Sequence, residues 1–187
     1  MEITEVFYPE NRQDWRKWLA ENHLVKSEIW LRTFRKASGK PSIHYDDLVE
    51  ECLCFGWIDG TAKSFDEESA VRRITPRRKK SFLSELNRQR IWKLKSLGLM
   101  TQAGIDPIAD QIGNPDDPFP IPDWIQVQLQ ADQLTWENFQ QFPQHYKRLK
   151  IGWITDIKGN SRQAEAQKRL DYLLKMTKQG KMYGTML

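Results

Sequence analysis

The sequence predicts an α+β fold: a small antiparallel sheet with packed helices, followed by a C-terminal helical bundle. Period-two alternation marks residues 29–34, WIDGTAKSF and AVRRITPR read as two further strands joined by a polar turn, and most of the remaining chain repeats at helical spacing. The segment GNPDDPFPIPD, residues 113–123, holds four of the nine prolines, and beyond it only helical spacing is found. These observations divide the chain into an α+β domain over residues 1–112 with a central basic motif, a stiff Pro-rich linker over 113–123, and a helical C-terminal region over 124–187.

Asn11 is placed to cap a first helix, with Trp15, Trp18 and Leu19 forming its apolar stripe. SEIWLRTFRK then alternates as a strand, ended by Ser38, Gly39 and Pro41. A second helix starts near His44, with Asp46 and Asp47 in a first turn that favours negative charge. Its buried stripe is Leu48, Val49, Cys52 and Phe55, and Gly56 stops it in a left-handed conformation.

WIDGTAKSF and AVRRITPR form a hairpin whose turn lies at Asp66 to Ser69. With that turn centred between Glu67 and Glu68, Lys63 faces Arg72 and Ala62 faces Arg73, a like-charge opposition that destabilises the pair. Ser84 caps the next helix, which ends at Gly98 with Leu99 behind it. Leu83, Leu86, Ile91, Leu94 and Leu97 share one arc of that helix, Arg88, Trp92 and Lys95 the opposite side, and Asn87 and Arg90 fall inside the apolar arc. A short helix through Ile105, Ile108 and Ile112 precedes the linker.

At 39% hydrophobic residues with 8 Trp and 8 Phe, the chain has the material for a packed core. No apolar run approaches the roughly 18 residues of a membrane span, and the start MEITEVFYPENRQDW lacks a signal core, so a cytoplasmic protein is expected. The net charge of +4 is unevenly placed: residues 72–95 carry ten basic side chains against one acidic, whereas residues 1–71 carry nine against fourteen. An anionic partner is therefore expected to meet the chain in the basic segment.

Cys52 and Cys54 lie two apart on a helix and point about 200° away from each other, which excludes a shared metal or an easy disulfide. They read as buried small hydrophobes, and no metal site is expected. Asp59 follows two apolar residues and needs a cationic partner, with Arg72, Arg73 and Arg77 in the same hairpin. Arg90 on a core-facing arc likewise calls for a partner, either Asp59 or a bound phosphate or carboxylate, with Asn87 as a further donor. GxSxG, P-loop, GxGxxG and HExxH patterns are all missing from the sequence.

An ordered series of residues resembles the bacterial YdeI/OmpD-associated, or bacteriocin-protection, family: Trp30-Leu31, Tyr45, LCFGWIDG (53–60), TPRR (75–78), Ser81, Ser84, Asn87, Arg90 and GLMTQAG (98–104). Trp136, Phe139, Phe142-Pro143, Arg148-Leu149 and Trp153-Ile154 are similar to its helical tail. Leu83 stands where a tryptophan is usual, and Ser161-Arg162 where Thr-Arg is usual. The resemblance implies a frataxin-like α+β fold and, through the family's name, an indirect role in stress or antimicrobial-peptide tolerance.

The leading expectation is a cytoplasmic binding protein without cofactor, leaning away from an enzyme, that holds a small anionic ligand in a pocket lined by Trp57, Asp59, Arg73, Arg77, Ser84, Asn87 and Arg90. In it Asp59 orients Arg73 or Arg77, and Asn87 and Arg90 meet the ligand. The first alternative is nucleic-acid binding through Arg78, Lys79, Lys80, Arg88, Trp92 and Lys95, where cations would contact phosphates and the indole would stack on a base. The second is a partner-binding module built on the C-terminal helices. The oligomeric state is left open.

Overall fold

A computed structural model describes residues 2–157, 159 and 162–184; Ser161, one of the two family departures, lies outside them. In chain order the elements are β1 (Val6–Phe7), α1 (Arg12–Asn22), β2 (Ile29–Phe34), α2 (Tyr45–Cys54), β3 (Trp57–Ser64), β4 (Ser69–Pro76), α3 (Glu85–Ser96), α4 (Gln102–Ile105), α5 (Ala109–Ile112), α6 (Asp123–Gln130), α7 (Gln133–Gln141), α8 (Gln144–Thr155) and α9 (Arg162–Lys178). The fold is α+β. Two compact units divide it: residues 1–82 with 93–112, and residues 83–92 with 113–187.

The first unit holds a four-stranded sheet in the order β1-β2-β4-β3. The sheet is mixed where an antiparallel one was expected, because Val6 and Phe7 run parallel to Trp30 and Leu31. A parallel pair needs a crossover, and α1 supplies it. Asn11 caps α1 as its sequence position suggests, its side chain accepting from the N–H groups of Gln13 and Asp14.

In the β3–β4 hairpin Asp66 shapes the turn by accepting from the Glu68 N–H (3.0 Å) and the Ser69 hydroxyl (2.6 Å). The resulting register pairs Lys63 with Val71 and Ala62 with Arg72, one residue away from the expected opposition of Lys63 and Arg72. An irregularity between Asp59 and Ala62 then restores Asp59 opposite Ile74. A bulge of this kind bends the strand and re-aims its side chains.

Helix α2 is more deeply buried than an amphipathic surface helix, since every residue from Leu48 to Cys54 is covered, including Glu50 and Glu51. Two buried carboxylates demand cations. Arg12 on α1 meets Glu51 (2.6 Å) and Glu50 (2.7 Å), Arg16 meets Glu51 (2.7 Å), and Lys93 reaches Glu50 (3.1 Å).

Gly56 ends α2 at φ +71°, and a Cβ there would stand 2.1 Å from the Ala103 carbonyl oxygen. Gly104 returns the arrangement, because a Cβ on it would lie 2.3 Å from the Cys54 oxygen. Thr101 completes the joint by donating its hydroxyl (2.7 Å) and its N–H (3.1 Å) to that same oxygen. The GLMTQAG stretch is thus the partner that closes the α2 terminus.

The second unit is helical. Ile125, Leu129, Phe139, Ile151, Ile154, Leu170 and Leu173 form its core, and Phe119 and Ile121 of the Pro-rich segment pack on it. Ser84 Oγ accepts the Asn87 N–H at 3.3 Å, the predicted cap. Glu85 is buried and pairs with Arg148 at 3.0 Å, and Arg148 also donates to the carbonyls of Pro115 (3.1 Å) and Asp117 (2.8 Å). Leu97, expected on the apolar arc of α3, is exposed.

Replacing Gly56 by alanine should cost about 3 kcal/mol, combining left-handed strain with a steric clash, whereas Gly39→Ala should cost about 1 kcal/mol from strain alone. Gly39 shares the conformation (φ +68°) but has nothing within 4 Å of its Cβ direction, so the two urea denaturation curves separate the contributions. A second test follows from Glu50. Burial works against its carboxylate, but the hydrogen bonds and charges of Lys93 and Arg12 outweigh it and hold the group below its usual range. A carboxyl whose folded-state pKa is depressed contributes stability above its unfolded value, about 4.3, and loses it as pH falls through the folded value. The urea midpoint should therefore fall from about pH 5 to pH 3, with a shallower fall in Glu50→Gln.

Candidate functional site

The strand irregularity at Gly60 and Thr61 turns Asp59 toward the α2 N-terminus and the neighbouring strand. Its Oδ2 accepts from the Tyr45 hydroxyl at 2.9 Å and from Arg72 Nη1 at 3.1 Å. The same Nη1 donates to the Gly60 carbonyl at 3.2 Å, and the guanidinium lies 4.9 Å from the centre of the Tyr45 ring. Arg72 is held at Nη1 by a carboxylate and a carbonyl, with the Tyr45 ring against the guanidinium. Its Nε and Nη2 have no hydrogen-bond acceptor among the described residues.

Arg72 borders a pocket of about 630 Å³ on the first unit. Phe34, Lys36, Lys40, His44 and Tyr45 line it together with Arg72, and its lining contains no acidic side chain. The loop after β2 is shaped for this by Gly39 in the left-handed region and by Ser42 Oγ, which accepts the Phe34 N–H at 3.0 Å. Lys40 crosses the Phe34 ring at 4.8 Å and pairs with Glu68 outside the pocket at 2.5 Å. That exposed pair is weak and exchangeable. His44 caps α2 without a side-chain hydrogen bond, so the helix opens beside the pocket with its first N–H groups unfilled by the cap. Asp46 and Asp47 lie in the same turn, and Asp47 is committed to Arg12 at 3.0 Å.

The residues expected to line a binding pocket fall differently. Trp57 is 1% exposed, part of the core, and donates its indole N–H to the His23 carbonyl at 3.3 Å. Arg73 pairs with Glu28 rather than Asp59. Arg77 is buried and donates to Ser81 Oγ (3.2 Å) and the Phe82 carbonyl (3.3 Å); burial lowers its pKa, partly offset by the charge of Asp59. The hydrogen-bonded partner of Asp59 is thus Arg72, the hairpin arginine that the expected pairing passed over. In the second unit Ser84 serves as a cap, and buried Arg90 donates to Asn87 Oδ1 at 3.0 Å.

Of the nucleic-acid set, Arg78, Lys79, Lys80 and Lys95 are exposed, with Lys80 at φ +60°. Arg88 is tied to Glu85. Trp92, expected as an open stacking platform, is partly buried: Arg148 lies 4.6 Å from its ring centre, and its indole N–H goes to the Gly113 carbonyl at 3.2 Å. Lys36, Lys40 and His44 were not singled out from sequence. Their four-residue spacing in FRKASGKPSIH, within one turn-rich loop, was the available signal.

Both cysteines are buried and unpaired by disulfide. Burial and the charge of Glu51 push the Cys54 thiol up to about 11, and burial raises Cys52 well above its ordinary value. Among the described residues no group of three or more His, Cys, Asp or Glu is placed to hold a metal ion. No helix among them is long and apolar enough to cross a membrane.

Comparison with known families finds two matches. Residues 7–107 match a model described as Domain of unknown function (DUF8412). Residues 118–180 match the model described as Bacteriocin-protection, YdeI or OmpD-Associated, which supports the family resemblance over the C-terminal helices; the central LCFGWIDG motif lies within the first range. No curated protein and no solved structure matches the chain significantly.

Neither cysteine should react with a disulfide reagent in the native protein at pH 8, and both should react on unfolding in guanidinium. A thiol titrated without denaturant would contradict the sealed α2 terminus.

Proposed function

The chain belongs to the DUF8412 domain family through residues 7–107, and from that premise we propose that its α+β unit is a receptor for a small anion bearing phosphate or carboxylate groups. One observation carries the reading: a pocket lined by Lys36, Lys40, His44 and Arg72, without an acidic lining residue, in which Asp59, itself held by the Tyr45 hydroxyl, engages Arg72 through Nη1 alone. The remaining donors of a guanidinium match the paired oxygens of a phosphate or carboxylate. Asp59 acts as an orienting group, since it fixes the fork without entering the pocket lining. Cations and aromatic rings dominate the lining, which suits holding an anion, so the reading is binding.

The family name attached to the C-terminal helices concerns bacteriocin protection. A basic pocket repels cationic peptides, so a part in such protection would be indirect, through the anion that is bound. Calorimetry with inorganic pyrophosphate and with citrate tests the proposal. Arg72→Met should weaken binding about thirtyfold, corresponding to the loss of roughly 2 kcal/mol of charge-assisted hydrogen bonding. Asp59→Asn should weaken it less, because the guanidinium stays but loses its anchor. Heat too small to fit with either anion, or binding that survives Arg72→Met while falling in Lys79→Ala/Lys80→Ala with steep salt dependence, would overturn it in favour of the nucleic-acid alternative.

A further inference from the structure

Helix α8 carries Tyr146, Lys150 and Trp153 at positions four and three apart, on one face of the helix. Lys150 is only 5% exposed. Its ammonium lies 4.1 Å from the ring centre of Tyr183, 5.1 Å from that of Tyr146 and 6.0 Å from that of Trp153. Among the described residues it has neither a hydrogen-bond acceptor nor a carboxylate partner, and burial alone lowers its pKa. A buried cation without an anion is costly, and aromatic faces return only part of that cost.

Lys150 lines a cavity of about 500 Å³ within the second unit, in the size range of small-molecule sites. Leu86, Leu149, Trp153, Tyr172 and Tyr183 make most of its wall apolar or aromatic. The other charged lining groups have protein contacts: Asp156 accepts the Glu85 N–H at 2.8 Å, and Arg169 is bound to Glu165 (3.0 Å) and the Trp153 carbonyl (2.6 Å). Among the described residues no carboxylate of the lining is paired with Lys150, Asp156 included.

We infer that this cavity receives a small monocarboxylate with an apolar body, the carboxylate meeting Lys150 and the body resting against Leu86, Trp153 and Tyr172. The site belongs to the helical unit and shares no residue with the basic pocket. Its specificity differs accordingly: the basic pocket favours a polar, multiply charged ligand, whereas a wall that is mostly apolar or aromatic, with Arg169 already paired to Glu165 and Lys150 unpaired, favours a single charge on a hydrophobic body.

The test compares 1-naphthoate with its neutral analogue 1-naphthylmethanol by calorimetry. Wild-type protein should bind the carboxylate at least tenfold more tightly than the alcohol. Lys150→Met should bring the two within about twofold while keeping the alcohol's affinity, and Arg72→Met should leave both unchanged, which separates this site from the one proposed above. Since Lys150→Met removes an uncompensated buried charge, it should fold with an unchanged or higher melting temperature. A measurement on the wild type stands beside it: naphthoate should shield Lys150 from acetylation by an N-hydroxysuccinimide ester, read by peptide mass spectrometry, more than the alcohol does. Equal affinity for the two compounds, no binding of either, a preference that survives Lys150→Met, or Lys150 acetylated equally with and without naphthoate would each overturn the inference.

Discussion

A buried carboxylate has to be met by cations, and helix α2 carries two of them one residue apart. Glu50 and Glu51 can be covered only if α1 presents Arg12 and Arg16 across the interface and Lys93 closes the far side of Glu50. Removing one partner would leave an uncompensated charge in the interior, which costs far more than the pair itself contributes. The network therefore sets where α1 lies against α2 more than it adds to stability. Once α2 is fixed, so is its N-terminus, and with it His44 and Tyr45 at the edge of the basic pocket.

The second unit uses the same device in another form. Glu85 is 2% exposed and is met by Arg148, whose other donors capture two carbonyls of the proline-rich segment while its flat face lies against Trp92 and Phe119. One guanidinium thus joins a helix start, a helix interior and an irregular strap. A lysine could not do this, having neither the planar fork nor the stacking face. The same indole that looks available for a base from its position on α3 is consumed by this arginine.

Local signals were legible in the sequence wherever one residue determines the geometry. Asn11 and Ser84 cap the helices they precede, and Gly56 and Gly98 stop theirs in the left-handed region. Signals that depend on a partner were not. Strand β1 is two residues long, too short for any period to show, and exists through its pairing with β2. The hairpin register turns on the side chain of Asp66 and on an extra residue near Gly60, so the sequence shows that Asp59 calls for an arginine but not that Arg72, rather than Arg73 or Arg77, supplies it. Lys150 lies between Tyr146 and Trp153 on one helix face, as Arg90 lies on an apolar arc of α3, but the cavity beside it is formed by residues far apart in the chain and has no local signal.

The two thiols of α2 carry a consequence for where such a chain can work. Cys52 and Cys54 are both buried, at 2% and 0% exposure, and on the helix they face away from each other. Neither an oxidant nor a second thiol can reach them in the folded protein. The folded state is consequently expected to stand in reducing and oxidising surroundings alike, since neither thiol is presented for a cross-link.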